Sequence, residues 1–428
     1  MAVRLTRPRL HAPTLVGRIR SDPVPLLLMG LVVALTTALT SAVAPLTTRT
    51  SDRALAGVVR QAGPTGVVVA TFPRSDDEVE RRVRDPGAVA RFRTEALQTQ
   101  RQLPARVAAV VRPGVASVTT PGLQVLGGGP GRYLTLAFVD SAAGAPRVRF
   151  VAGRPPQAAA TRSVQVALSQ ASASALGVRA GDRLDTQDDQ VRPVAVRVSG
   201  IFVADDDTDA RWQVSSQLLH PDSGVSEGVR RTAAAALVSS AAYPDLRLAV
   251  PSDDLTEQVL FTPRPDRVRW ATSADLVRAI GSLKASPSLA LGKTAWDSNL
   301  DRVLTDGRAQ VAAARGQADV LLVGLLACAL LVLCQVAGLL VSRRTGSVVL
   351  TRERGGTLLG VAVELFLESA VFAAAGAAVG LLLTGLVVGD VGRSWWLPVP
   401  FVAAGAAGAT GAVVASRATD VQDTKASG

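Results

Sequence analysis

The amino-acid sequence predicts an α-helical membrane protein with four transmembrane helices and a large α+β extracytoplasmic domain inserted between helices 1 and 2. The main observation is that uncharged, apolar segments of about 20 residues occur four times, a length that spans the roughly 30 Å hydrocarbon core of a bilayer. These segments are 24–46, 320–341, 369–389 and 395–416. Hydrophobic residues make up 48% of the chain and charged residues 19%, which excludes a disordered chain.

The first 23 residues form a basic leader that we place in the cytoplasm. Basic residues near the ends of transmembrane helices favour the cytoplasmic side, and the leader carries Arg4, Arg7, Arg9, Arg18 and Arg20. Transmembrane helix 1 follows at 24–46. Cleavage as a signal peptide stays an alternative, because Ala42-Val43-Ala44 resembles a cleavage site. The apolar stretch is, however, longer than the usual signal-peptide core of about 7–15 residues.

Residues 47–318 form the predicted extracytoplasmic domain. Val194, Val196 and Val198 alternate with other residues as in a strand, whereas residues 301–317 lack proline and lead directly into the second apolar segment. We therefore expect an α+β domain with a stalk helix at 301–317 and a counterpart at 50–61. Basic and acidic residues are mixed here, so no basic nucleic-acid surface is expected. Cys328 and Cys334 both lie in the second apolar segment, so this domain has no disulfide.

The remaining chain predicts transmembrane helices at 319–342, 365–389 and 395–416. The loop 343–364 carries several arginines, whereas the connection between helices 3 and 4 carries only Arg393. The positive-inside rule therefore places this loop and the tail 417–428 in the cytoplasm. The prediction is a multi-pass plasma-membrane protein with both termini cytoplasmic.

Glycines recur three or four residues apart in the last two apolar segments. This spacing lets helix backbones approach closely in a membrane. The candidate packing residues are Gly376, Gly380, Gly385, Gly389, Gly405 and Gly408.

No motif predicts catalysis. Gly292-Lys293-Thr294 resembles the end of a phosphate-binding loop, but the glycine that the motif requires five residues earlier is Pro287. Two histidines and two cysteines are too few for a metal centre built on those residues. The acidic run 205–209 has carboxylates suited to a cation, although a solvated loop is the simpler interpretation. We expect no catalytic, cofactor or metal site, and no enzyme activity, in this chain.

The order of one helix, a large outer domain and three clustered helices resembles the FtsX-like permease family, in particular the MacB-type ATP-binding-cassette (ABC) transporter permeases. The likeness covers nearly the whole chain. In the outer domain the segments 166–169, 176–182 and 198–202, followed by Trp212, are similar to the family pattern. In the cytoplasmic loop Arg343-Arg344, Arg352-Glu353-Arg354-Gly355 and Glu368 resemble a second family pattern. The sequence departs from it at Thr345-Gly346, where a glutamate is usual.

The resemblance implies that a separate ABC ATPase subunit binds ATP and Mg²⁺ and docks on the segment 343–364, which would act as a coupling helix. The expected ATPase-coupling residues are Arg343, Arg344, Arg352, Glu353, Arg354, Gly355, Glu364 and Glu368. A second permease half is expected, as a homodimer or as a paralogue. A proton-relay role for Glu364 and Glu368 stays a weaker alternative, since carboxylates near membrane depth are often functional.

Three functions stay open at this point. The first is an ABC permease subunit that couples ATP hydrolysis to conformational change of the outer domain for export or extraction of a hydrophobic, peptide or lipoprotein substrate. The alternative is an ATP-driven membrane regulator of a cell-wall hydrolase, which is FtsX-like and not a transporter. The third is a membrane-anchored receptor without an ATPase, and the short cytoplasmic parts weigh against it.

Overall fold

The computed structural model describes residues 23–72, 84–127, 131–159, 163–226, 229–285, 294–353, 358–389 and 399–407 without 401 and 405. Within these residues three helical stretches are long and apolar enough to cross a membrane, namely Val24–Gly66, Leu300–Leu339 and Phe366–Val388. The predicted fourth span, 395–416, lies mainly outside the described residues. The chain divides into two compact units, one of residues 1–51 with 310–428 and one of residues 52–309.

The described helices include three very long ones. Helix α7 continues from the predicted second span to Glu353 without a break, beyond the predicted end at 342, and contains no proline that would interrupt it. The predicted stalk segments 50–61 and 301–317 lie inside α1 and α7. The helices are α1 (Pro23–Ala62), α2 (Ala88–Gln102), α3 (Ala105–Ala108), α4 (Gln170–Leu176), α5 (Tyr243–Ala249), α6 (Trp270–Lys284), α7 (Leu300–Glu353) and α8 (Leu358–Val388).

The unit 52–309 contains a sheet-rich domain. Its described strands form one hydrogen-bonded sheet in the order β12-β1-β11-β2-β4-β3-β7-β8-β6-β10-β9, with β5 paired to β8. The strands are β1 (Val68–Thr71), β2 (Val115–Thr119), β3 (Leu123–Val125), β4 (Arg132–Ser141), β5 (Val148–Gly153), β6 (Ser163–Ser169), β7 (Arg183–Gln187), β8 (Pro193–Ala204), β9 (Asp222–Ser226), β10 (Val229–Val238), β11 (Thr256–Phe261) and β12 (Ala295–Ser298).

Part of this sheet is an open βαββαβ layer. Strands β12, β1, β11 and β2 pair side by side, all antiparallel, and helices α2 and α6 make the two crossovers. This order and connectivity match the split βαβ arrangement. The stalk-forming parts of α1 and α7 directly precede β1 and follow β12 in the chain, apart from a short 3₁₀ turn at Gly63–Gly66.

The second part of the sheet is a ring of six strands inserted between β2 and β11. Strand β4 pairs with β3 on one side and, in parallel, with β10 on the other, so the path β4-β3-β7-β8-β6-β10 closes on itself. Closure removes exposed sheet edges. The predicted strand around Val194–Val198 is confirmed as part of β8. Alternate residues of β4, β6, β8 and β10 belong to two different buried apolar clusters, as the period of two requires.

The segment 163–177 shows how local sequence fixes local structure. Strand β6 ends at Ser169, whose hydroxyl accepts a hydrogen bond from the amide of Ser172 and caps α4. Gly177 then ends this helix with a left-handed φ of 68°, a conformation that favours glycine. Both ends of α4 are therefore set by residues of the local sequence.

Candidate functional site

Side chains from α1 and α7 meet at the first turn of α6, which we call the stalk junction (Asp52, Arg269, Trp270, Ser273 and Arg308). Asp52 of α1 accepts hydrogen bonds from the backbone amide of Trp270 (N to Oδ1, 2.7 Å) and from Arg269 (Nη1 to Oδ2, 3.4 Å). The N-cap residue of α6 makes no side-chain cap of its own. A carboxylate from α1 therefore caps α6, and this position also favours negative charge.

Helix α7 contacts the same turn through Arg308. Its guanidinium carbon lies 4.8 Å from the centroid of the Trp270 ring, and one of its nitrogens donates to the Trp270 carbonyl at 3.4 Å. The same nitrogen donates to the hydroxyl of Ser273, which is fully buried. Arginine over an indole face is a favourable cation–π contact. The first turn of α6 is thus held by one charged residue from α1 and one from α7.

The far end of α6 is also fixed to α7. Lys284, in the last turn, donates to the carboxylate of Asp301 at 3.1 Å and to the carbonyl of Ser298 at 2.8 Å. A lysine near a helix C-terminus interacts favourably with the helix dipole. Helix α6 is therefore attached to α7 at both of its ends.

Apolar contacts join α1 and α7 within this unit. Leu55 and Leu304 are fully buried in the main apolar cluster of the domain. A methyl group placed on Gly307 would lie 3.1 Å from Cγ1 of Val58 and 3.4 Å from Cδ2 of Leu55. Glycine at 307 therefore allows the two helices to approach closely. The two helices and α6 form one packed, hydrogen-bonded assembly.

In the other unit, α1 and α8 pack through small residues. A methyl group placed on Gly376 would lie 2.2 Å from the carbonyl oxygen of Gly30, and one on Gly380 would lie 2.5 Å from the carbonyl oxygen of Ala34. One turn further along, the hydroxyl of Thr384 donates to the carbonyl of Ala38 at 3.2 Å. The contact recurs every four residues on both helices, as in small-residue packing of transmembrane helices.

Two arginines join helices in the same unit. Arg49 of α1 donates to the carbonyl of Val388 at 2.9 Å, at the end of α8. Arg315 of α7 donates to the hydroxyl of Ser51 at 2.8 Å and to the carbonyl of Thr47 at 3.3 Å. The last carbonyls of a helix have no partner within the helix, so Arg49 satisfies one of them. Helix α1 is therefore hydrogen-bonded to both α7 and α8.

The predicted ATPase-coupling residues have the following places in the structure. Arg343, Arg344, Arg352 and Glu353 lie in the last turns of α7, and Glu364 lies in α8, but the structure describes none of these five side chains. Arg354 and Gly355 lie outside the described residues. Glu368 lies in α8 with its side chain buried.

The predicted packing glycines fall in two groups. Gly376 and Gly380 lie against α1, as described above. Gly385 lies near the end of α8, and its carbonyl accepts from the amide of Gly389, which has a left-handed φ of 78° just beyond the helix. Gly405 and Gly408 lie outside the described residues.

The acidic run 205–209 does not form a metal-binding cluster in the structure. Asp209 pairs with the guanidinium of Arg211 (Nε to Oδ2, 2.9 Å), and this hydrogen bond lowers the pKa of the Asp209 carboxyl. Asp206 accepts hydrogen bonds from Thr208 (N to Oδ1, 2.9 Å). Among the described residues no group of three or more His, Cys, Asp or Glu side chains could hold a metal ion.

Sequence reasoning did not find the stalk junction. Asp52 and Trp270 are far apart in the chain, and the sequence carries no pairing signal between them. The one local signal is that residue 269, at the N-cap of α6, is arginine and not a capping residue. A helix without its own cap leaves amide donors that another part of the chain can satisfy.

Fifteen chains among the solved structures are similar to this chain. No protein-family model matches the chain, and no curated protein matches it. Among solved structures, the chain is similar to a domain of a protein named as a permease from Porphyromonas gingivalis, with 13% identity and a TM-score of 0.20. The likeness covers 54% of this chain and 86% of that domain.

Proposed function

We propose that this chain is the permease subunit of an ABC transporter of the FtsX-like, MacB type. In this proposal a separate ATPase subunit binds and hydrolyses ATP with Mg²⁺, and the chain itself is not an enzyme. The domain 52–309 lies outside the plasma membrane, both termini are cytoplasmic, and four helices cross the bilayer. The substrate is a hydrophobic, peptide or lipoprotein molecule that is exported or extracted. A second permease half, identical or paralogous, completes the transporter.

One observation carries the proposal: the long helices α1 and α7 both have residues in the sheet domain and in an apolar, membrane-length stretch. Helix α7 has 54 residues, or about 80 Å at 1.5 Å per residue. In the sheet domain, both helices are hydrogen-bonded to the same turn of α6. A movement at one end of such a helix must displace the other end or bend the helix. This supports a role in transmitting motion between an ATPase and an outer domain.

The proposed coupling runs from the segment 343–364 into α7. ATP-driven association of two ATPase subunits would displace Arg352 and Glu353, which belong to the same helix as Arg308 and Asp301. The displacement would reach α6 through its attachments at Trp270 and Lys284. Because α6 packs on the open sheet layer, the sheet domain would change shape.

The test is association with a candidate ABC ATPase encoded beside this chain. We expect the two proteins to copurify, and we expect Arg352→Glu with Arg354→Glu to abolish copurification. The matched control is Arg267→Glu with Arg278→Glu in the sheet domain, where 59% and 77% of the side chains are exposed. This control should leave association intact. Absence of copurification for the unaltered chain, or equal behaviour of both double variants, would refute the proposal.

The alternative, an ATP-driven regulator of a cell-wall hydrolase, predicts the same ATPase association. It differs in the partner of the outer domain. Capture of a peptidoglycan hydrolase on the full chain, with ATP hydrolysis raising the hydrolase activity and moving no substrate, would favour the regulator.

A further inference from the structure

A cavity of about 650 Å³ lies beside the ring of six strands, in the unit 52–309. Its walls come from the first residues of α4, the end of β8 and the loop that follows the 3₁₀ turn Ser216–Leu218. Ala171, Ser174, Phe202 and Leu219 are among the residues that line it. Small-molecule sites in proteins are usually clefts of about 300–1,000 Å³ lined mostly by apolar groups. The size and the floor of this cavity fit that class.

The walls are fixed in place by contacts within the fold. Phe202, at the floor, is fully buried and stacks on Trp212 with ring centroids 5.9 Å apart and an interplanar angle of 13°. The indole nitrogen of Trp212 donates to the carbonyl of Asp206 at 2.8 Å, which anchors the acidic loop. The hydroxyl of Ser169 donates to the carbonyl of Leu219 at 2.9 Å, which anchors the opposite wall. The cavity is therefore preorganised, which lowers the cost of binding.

The charge of the lining is one-sided. Asp205 and Asp207 lie at the cavity together with His220, and no arginine or lysine is among the residues that line it. Neither of these carboxylates forms an ion pair with any residue that the structure describes, whereas Asp209 is neutralised by Arg211. The two acids are exposed to solvent and lie beside an apolar floor. A ligand that complements this lining has an apolar body and a positive charge.

We propose that this cavity binds a small amphiphilic cation, with an aromatic or aliphatic body on the accessible side chains of Ala171 and Leu219 and an amine or guanidinium beside Asp205 and Asp207. As a substrate site the cavity rests on the proposed function, because only a transporter would carry the ligand further. Binding itself does not depend on an ATPase. The structure thus points to cationic amphiphiles within the broader hydrophobic or peptide class.

The test compares two probes that differ only in charge. The full chain in nonionic detergent is titrated at pH 8 with 2-(2-naphthyl)ethylamine and with its neutral analogue 2-(2-naphthyl)ethanol, and the heat of binding is measured after subtraction of a detergent blank. We expect the amine to bind about tenfold more tightly than the alcohol, since each exposed ion pair contributes modestly. Raising the salt concentration should reduce this preference, because exposed charges are screened.

Three variants locate the site. Asp205→Asn with Asp207→Asn should remove the preference for the amine and leave alcohol binding unchanged. Ser174→Trp, which fills the cavity from an exposed position, should abolish binding of both probes. Asp185→Asn is the control, because this carboxylate belongs to β7, is 74% exposed and does not line the cavity. Melting temperatures close to that of the unaltered chain establish that each variant folds.

Equal affinity for the two probes, no binding of either probe, or undiminished binding by the folded Ser174→Trp variant would overturn the inference. These results would leave the proposed function standing, because the titration contains no ATPase. Failure of ATPase copurification, in turn, would refute the proposed function and leave the binding site in place.

Discussion

The close contact between α1 and α8 makes a strong prediction for Gly376→Ala. A methyl carbon at this position would lie 2.2 Å from the carbonyl oxygen of Gly30 and 3.0 Å from its carbonyl carbon. Both atoms belong to the backbone of a helix, so neither can rotate away. Ordinary carbon–oxygen contacts in proteins are about 3.3 Å or longer. The two helices must therefore move apart by about 1 Å, which would also weaken the neighbouring contact at Gly380.

Two opposing effects determine how far Gly376→Ala changes the stability of the protein. Overpacking of a well-packed contact destabilises by about 1–3 kcal/mol. Alanine has a better helix propensity than glycine by about 1 kcal/mol, which offsets part of this. We expect a net destabilisation of about 1–2 kcal/mol. The matched control is Gly324→Ala in α7, where a methyl group would have no described atom within 4 Å. The control should be neutral or slightly stabilising.

The assay is the apparent melting temperature of the full chain in detergent, read from the loss of monodisperse protein on size-exclusion chromatography. Gly376→Ala should melt several degrees below the unaltered chain, and Gly324→Ala should melt at or above it. If the two variants melt at the same temperature, the backbone contact between Gly30 and Gly376 does not stabilise the protein, and the packing argument is wrong.

Three further predictions concern the sheet domain and use urea unfolding of the full chain followed by tryptophan fluorescence. Asp52→Ala should lower the free energy of unfolding by about 1–2 kcal/mol, because the amide of Trp270 loses its hydrogen-bond acceptor. Val191→Asn should stabilise by about 1 kcal/mol, because Val191 is 70% exposed and has a left-handed φ of 60° that asparagine tolerates better than a β-branched residue. The hydrogen bond from Arg211 lowers the pKa of Asp209 in the folded chain. This pair therefore stabilises above the ordinary aspartate pKa of about 3.9 and loses its effect as the pH falls. Asp209→Asn should accordingly reduce the loss of stability below pH 4.

Each of these variants has a control on the same domain. Asp306→Ala alters an exposed carboxylate of α7 and should leave the free energy of unfolding nearly unchanged. If Asp52→Ala destabilises the chain no more than Asp306→Ala does, the capping argument is wrong. Val225→Asn alters another exposed valine, 73% accessible, in strand β9, and should not stabilise. A gain equal to that of Val191→Asn would mean that removing an exposed apolar group, and not relief of backbone strain, is responsible. Asp185→Asn should retain the full acid dependence of the unaltered chain.

Features with a short sequence period could be predicted from the sequence. Apolar stretches of membrane length predicted the helices at 24–46, 320–341 and 369–389, and alternation of valines predicted β8, because these patterns depend only on neighbouring residues. Ser169 and Gly177 mark the two ends of α4 for the same reason. The small-residue spacing of Gly376 and Gly380 indicated a packing face, but it did not identify α1 as the partner helix.

Features that depend on distant pairing could not be predicted. The ring of six strands closes because β10 pairs in parallel with β4, as at Thr232 and Arg132, and no local pattern encodes this register. The stalk junction joins Asp52 to an amide more than 200 residues away. The change in hydropathy predicts that the second span ends at 342, and this end stays a prediction. Helix α7 itself continues to Glu353, because its residues include no proline and backbone hydrogen bonding does not stop where hydropathy changes.

Under the proposed function, the continuous helix α7 transmits motion either as a rigid rod or as a bending element. Its glycines differ in this respect: Gly307 packs against α1, whereas no described atom would lie within 4 Å of a methyl group at Gly316. Alanine at Gly316 stiffens the helix without touching a neighbour, and proline there removes a hydrogen bond and kinks it. If the proposed complex with an ATPase exists and α7 acts as a rod, Gly316→Ala should leave substrate-stimulated ATP turnover within about twofold, and Gly316→Pro should abolish the stimulation. An equal loss in both variants, with both complexes still assembled, would mean that α7 works by bending at Gly316.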